Sequence, residues 1–171
     1  MNMHGGYKPS YGGYRGGYRA ALAVLVLSFS LAQEHPLPQP SPQFSAAEVV
    51  CIQLEALSNN DQPYQDAGIT TAFNFASPAN RQATGPLERF ILLVKNPVYR
   101  DMIDHVSADY GRLEVVGDEA RQVVILNTPD GRRALYVFVL SKQADGEFAG
   151  SWMTDSVLRL ELDDPNLAGK P

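Results

Sequence analysis

From Phe44 onward, hydrophobic positions recur first every three or four residues and later every second one. Ser45-Ala46-Ala47-Glu48 reads as a capping box, in which the serine hydroxyl accepts a free amide and Glu48 reaches back to the cap. Phe44 stands where a hydrophobic staple onto Val49 is expected. Val50, Leu54 and Leu57 then share one helical face, with Cys51 beside them, until Asn59-Asn60-Asp61 and Pro63 stop the helix. A second helix is predicted near Ala67–Ala76, with Ile69 and Phe73 one turn apart and Pro78 ending it. A third opens with Pro86 at its first position and Glu88 in its first turn, both favourable there. Leu87, Phe90, Ile91 and Val94 form its apolar stripe, and Asn96-Pro97 restarts the chain as a short fourth helix with Tyr99, Met102 and Ile103.

Beyond His105 the period shortens. Val106–Val116, Ala120–Asn127, Ala134–Leu140 and Gly150–Leu162 are separated by Gly117-Asp118, Pro129-Asp130-Gly131 and Ala144-Asp145-Gly146, all turn-forming. Val123, Ile125, Val137 and Val139 are β-branched, as a pleated half-buried surface prefers. Helices followed by a run of hairpins give an α+β class: three to four N-terminal helices packed on a curved four-stranded antiparallel sheet. Leu54, Leu57, Phe73, Phe90, Val137 and Trp152 are the expected core.

Composition changes the picture chiefly at the amino terminus. The first 32 residues hold Lys8, Arg15 and Arg19 and no acid, leaving 11 bases and 19 acids beyond them, a formal charge of −8. Ala20–Ala32 is apolar and uncharged, too short for the ~20 residues a spanning helix needs. With its basic flank and the Ser30-Leu31-Ala32 end, it reads as a targeting segment over residues 1–32, cut before Gln33. The GGY repeats ahead of it are unusual in such a segment. A flexible RNA-contacting arm is the alternative they suggest, though two arginines there neutralise little phosphate. Pro36, Pro38, Pro40 and Pro42 make residues 33–43 a stiff linker, residues 44–163 a single domain and residues 164–171 a tail. A net negative domain is repelled by phosphate backbones and anionic lipid, so neither nucleic acid nor stable membrane insertion after processing is expected.

The runs QLEALSNND (53–61), FNFASPANRQATGPLERF (73–90) and GSWMTDSV (150–157) resemble an uncharacterised domain-of-unknown-function family of photosynthetic organisms. The resemblance spans roughly Ala46 to Leu162 and implies a nuclear-transport-factor-2-like (cystatin-like) fold, a cone in which a bent antiparallel sheet wraps a long helix. It implies no reaction. Ser151 stands where relatives often carry Cys, which removes any sulfur chemistry at that position.

Candidate chemistry is sparse. His4 lies in the targeting segment, His35 in the linker, and His105 stands far from Cys51, so the three or four nitrogen or sulfur ligands of a metal site are not assembled. Cys51 on an apolar helix face reads as a small inert hydrophobe, and Ser77 as a turn residue with no base nearby. Acid–base chemistry is the one enzymatic option, with Asp155, His105, Asp109 and Tyr110 as candidate groups. Isomerases and dehydratases of the resembled fold use groups of these kinds. Against it, Asp104 and His105 can simply close a helix, and Asp109 can lie on a wet strand face. Asp155 is expected to point the same way along a strand as Met153 and Val157, with Arg81 or Arg89 as a structural partner. The polar stretch Asn74–Arg81 offers a ligand-gripping rim or a self-bonded loop. Asn80, Arg81, Tyr99 and Trp152 are the candidate ligand-binding residues.

The leading expectation is a non-catalytic binding or interaction module, exported or in an organelle lumen, that takes a small apolar molecule or a protein partner and needs no cofactor or metal. A lyase or isomerase using Asp155 or His105, a dimerising structural module forming homodimers, and a cytoplasmic location are the alternatives.

Overall fold

The computed structural model describes residues 36–162, so the targeting segment, His4, His35 and the tail lie outside the described residues. The first helix, α1 (Ala46–Ser58), opens as its sequence demands. Ser45 Oγ accepts from the Glu48 amide at 3.3 Å, and Glu48 Oε2 accepts from the Ser45 amide at 2.7 Å. Phe44 rests its ring 6.4 Å from that of Phe75, at the edge of the core. Val49, Val50, Gln53, Leu54 and Leu57 form the buried face of α1.

Asn60 turns the chain into α2 (Ala67–Asn74): its carbonyl accepts from Gly68 N, and its Oδ1 from Ile69 N. A Cβ on Gly68 would sit 2.2 Å from the Ala56 carbonyl oxygen, so only glycine lets α2 cross α1 this closely. α2 ends at Asn74, and Pro78, expected to terminate it, instead starts a further helix, α3 (Pro78–Thr84). Ser77 caps α3 by accepting from Asn80 N at 3.2 Å, and Pro78 occupies the first turn, where its missing amide costs nothing. α4 (Leu87–Val94) follows with Pro86 as its cap and not its first helical residue. The expected fourth short helix reduces to one 3-10 turn, Arg100–Met102, because the Asn96 side chain holds the amides of Val98 and Tyr99 in a turn before it.

The sheet is a meander, β1 (Ser107–Val116), β2 (Glu119–Asn127), β3 (Arg133–Lys142) and β4 (Trp152–Leu160), in that spatial order and antiparallel throughout. Register assigns the faces. Ala120, Val124 and Leu126 on β2, and Ala134, Tyr136, Phe138 and Leu140 on β3, join the helical residues in one buried cluster. Val123, Ile125, Val137 and Val139 take the opposite face and are half-buried, which removes Val137 from the expected core. Leu54 and Leu57 are fully buried as expected, whereas Phe73 and Phe90 stack on each other at 5.1 Å near the periphery and Trp152 is half-buried.

A charged network fastens the 3-10 turn to the sheet. Asp101, with only 5% of its side chain exposed, accepts from both terminal nitrogens of Arg132 at 3.0 and 3.2 Å and from Arg159 Nη1 at 2.8 Å. Arg159 also donates to Tyr136 Oη at 3.1 Å and lies over the Tyr136 ring, while Tyr136 Oη donates to the Val98 carbonyl. Burial alone would raise the Asp101 carboxyl, but the two arginines outweigh it and hold it below the usual range. Its stabilising contribution is therefore present above the unfolded value near ~3.9 and is lost as pH falls through the folded value. Asp66, paired with Lys95 at 2.7 Å, is lowered too and acts in the same sense. Asp101→Asn should cost about 3 kcal/mol at neutral pH, because it leaves the partly buried Arg159 guanidinium without a carboxylate, while Arg132 keeps Asp130 at 2.7 Å. Urea unfolding at neutral and acidic pH checks this: the gap between parent and variant should narrow as the pH drops below about 4.

Candidate functional site

Between the helices and the β3–β4 half of the sheet lies a cavity of about 420 Å³. Its walls come from every helix: Gln53 and Leu57 of α1, Ala72 of α2, Ala79, Asn80, Ala83 and Thr84 of α3, and Phe90, Leu93 and Val94 of α4. Tyr99, Met102, Phe138 and residues Thr154 to Leu158 of β4 complete it. The volume falls within the roughly 300–1,000 Å³ of small-molecule sites. Side chains as short as Ala72, Ala79 and Ala83 leave it open, where longer ones on α2 and α3 would fill it.

Its polar end is organised around Thr154. The Thr154 amide donates to the Phe75 carbonyl at 2.8 Å, and its own carbonyl accepts from Ser77 N at 2.9 Å and from Asn80 Nδ2 at 3.0 Å. This parallel bridge covers the edge of β4 with the segment joining α2 to α3. Gln53 Nε2, from α1, donates to Thr154 Oγ1 at 2.9 Å. Immediately after Thr154 the β3–β4 register slips: Leu140 pairs with Thr154 and Val139 with Ser156, leaving Asp155 as an unpaired bulge residue. Strict alternation is thereby broken. Met153 and Val157 pair with Ser141 and Phe138, on opposite faces of β3, so the three side chains do not share one direction as the sequence led us to expect.

Asp155 lines the cavity, half-buried, and among the described residues no basic side chain lies within 4.0 Å of it. Of its two expected partners, Arg89 is exposed and forms no ion pair with it, and Arg81 is engaged elsewhere. Arg81 Nε donates to the carbonyls of Phe73 and Ala76 at 3.1 and 3.0 Å, and its Nη2 donates to that of Asn74. The guanidinium lies between the rings of Phe73 and Phe148, 5.5 and 5.0 Å from their centroids. Burial lowers its pKa, and Glu147 partly offsets that. Arg81 is thus the side chain that seals the carboxyl end of α2 against α3.

The remaining sequence candidates divide cleanly. Asn80 and Tyr99 line the cavity, the Tyr99 hydroxyl donating to the Val157 carbonyl at 3.3 Å. Trp152 packs against the core and is not a wall residue. His105 is buried beside the 3-10 turn, with Nδ1 at 2.9 Å from the Met102 carbonyl, and lies outside the cavity wall. Asp109 is exposed on β1 and accepts from Asn127 Nδ2 at 3.2 Å. Tyr110 stands by Cys51 of α1, and burial raises both the phenol and the thiol; Cys51 Sγ also donates to Glu55 at 3.3 Å. The acid–base set read from the sequence is therefore dispersed, with Asp155 alone at the cavity. Gln53, Thr154, Thr84 and Ser156 are polar wall residues that the sequence reading missed. Gln53 carried a signal, a polar residue between Val50 and Leu54 on an otherwise apolar helix face. Among the described residues no group of three His, Cys, Asp or Glu side chains is disposed to hold a metal ion, and no helix is long and apolar enough to cross a membrane.

Residues 41–167 match the family described as Domain of unknown function (DUF4864). The chain belongs to that family. No curated protein and no solved structure matches it. The matched region takes in all four helices and all four strands, so the cavity and its Thr154 anchor lie wholly within the family domain.

Arg81→Lys keeps the charge but loses the planar fork that reaches the carbonyls of Phe73, Asn74 and Ala76 at the end of α2. It should cost about 1–3 kcal/mol of stability in urea unfolding. A loss below the ~0.5 kcal/mol typical of surface substitutions would show that the seal contributes little.

Proposed function

We propose that this domain is a non-catalytic binding module, on a nuclear-transport-factor-2-like cone, that takes one small and mainly apolar molecule into the cavity between its helices and β4. The observation that carries the reading is the wall itself. Leucine, valine, methionine, alanine and three aromatic side chains surround a few polar groups gathered at one end. Such a site draws an apolar body out of water and uses hydrogen bonds to orient it. Gln53, Asn80 and Thr154 are bonded to one another or to backbone, which suits fixed orientation better than proton transfer. The separation of His105, Asp109 and Tyr110 from Asp155 favours binding over the lyase or isomerase alternative, since no paired acid and base face one substrate. No cofactor or metal enters this reading. The acid-free composition of residues 1–32 supports export or an organelle lumen as the compartment.

Homodimerisation is a second reading, favoured by one observation. Edge strand β1 exposes Leu113, Val115 and Val116, the last at 79%. A hydrophobic edge of this kind invites a partner strand or sheet. Sedimentation velocity should then show a dimer that Val116→Glu returns to monomer.

For the binding reading, the neutral fluorophore N-phenyl-1-naphthylamine is the probe. Ala83 is an exposed α3 residue at the cavity wall, so Ala83→Phe should obstruct the space with little strain in the core. The parent should bind the probe with a blue-shifted, enhanced emission, and the variant should bind it at least about ten-fold more weakly, a loss of ~1.4 kcal/mol. Equal binding by the two proteins would overturn the assignment of the site.

A further inference from the structure

Among the described residues the cavity wall holds one ionisable carboxylate and no basic side chain. Among the residues lining the cavity Asp155 is the only charged one; no lysine, arginine or histidine contributes to the wall. Arg81, the basic partner that the sequence suggested, is consumed by three carbonyl groups and two aromatic faces. The bulge is what brings the carboxylate there, since it takes Asp155 out of the ladder just after Thr154 is pinned from both sides. Three aromatic rings, Phe90, Tyr99 and Phe138, also line the space. A carboxylate and aromatic side chains lining one mainly apolar volume are the elements that recognise an organic cation, by charge and by cation–π attraction. An anionic ligand would meet repulsion from Asp155 and no compensating donor of positive charge. The protein's formal charge of −5 tilts the surrounding field in the same direction.

We propose that the ligand of this cavity is a monocationic amphiphile, an amine or quaternary ammonium whose head sits at Asp155 and whose apolar body lies among the helical and aromatic side chains. This rests on the binding reading above and adds the charge of the ligand to it. Asp155 is then the residue that determines specificity, and Asn80 and Thr154 fix the strand segment that presents it. Neutral molecules of the same shape still enter, held by the apolar wall alone.

Isothermal titration of the full chain with octyltrimethylammonium, octanol and octanoate tests this. The three carry straight tails of seven or eight carbons and differ in head charge. The cation should bind about ten-fold more tightly than the alcohol, the gain expected of a charge pair with aromatic support at a half-buried site, and octanoate should bind most weakly. Asp155→Asn should bring the cation down to the level of the alcohol while leaving the alcohol unchanged. Asp155 makes no side-chain hydrogen bond or ion pair among the described residues, so this variant should fold; the ranking in the parent stands as a test even if it does not. Octanol binding with no preference for the cation would overturn the charge assignment and leave the binding reading intact. A preference that survives Asp155→Asn would overturn the role of Asp155. Binding of none of the three would overturn both.

Discussion

Thr154 is the point on which the helical layer and the sheet are fastened together. Its amide and carbonyl bond the segment between α2 and α3, its hydroxyl meets Gln53 of α1, and its carbonyl also holds Asn80 of α3. Thr154 and Gln53 are shielded from water, at 2% and 3% exposed, so a partner missing between them would leave a buried donor or acceptor at a cost of about 1–3 kcal/mol. All are satisfied: among the described residues no buried side-chain nitrogen or oxygen lacks a partner. The register slip at Asp155 follows from this arrangement in space. A strand bonded on one side to β3 and on the other to a parallel bridge has both its edges occupied at Thr154, and the extra residue is accommodated one step later, where the second edge is free.

The Asp101 network anchors the opposite end of the helical layer. Arg132 and Arg159 reach Asp101 across 31 and 58 residues of sequence, so the 3-10 turn is tied by charge to the β2–β3 turn and to β4. The cavity lies between these two anchors. Tyr99 and Met102, beside the Asp101 turn, form one part of its wall, and Asn80 and Thr154 form another. Rigid supports on both sides let an unfilled volume persist without the helices collapsing onto the sheet, which their hydrophobic faces would otherwise favour.

Features specified locally are legible in the sequence. The Ser45–Glu48 box, the α1 stripe and the turn residues between strands all predict what is observed, because their physics involves neighbours within a few positions. Pro78 misleads although the information is present: Ser-Pro is as good a start for a helix as Pro is an end for one, and periodicity over seven residues is too short to arbitrate. The orientation of Asp155 is not legible. Alternation along a strand assumes an unbroken ladder, and the bulge that breaks it depends on contacts to residues near position 76, far away in the chain. The pairing of Arg81 fails for a related reason. Charge matching suggests a carboxylate for it, but the guanidinium is taken by carbonyls left open at the end of α2, which need donors.

The same competition explains why the cavity keeps an uncompensated carboxylate. Arg81 is held by the carbonyls of the α2–α3 junction and by two aromatic rings, and it forms no ion pair with the half-buried Asp155. Stability of the fold therefore draws the guanidinium away from the site. What remains at β4 is a half-buried carboxylate in a mainly apolar surround. Such a group gains most from a ligand that brings its own positive charge. The structural use of Arg81 and the chemical availability of Asp155 are thus two results of one hydrogen-bonding preference.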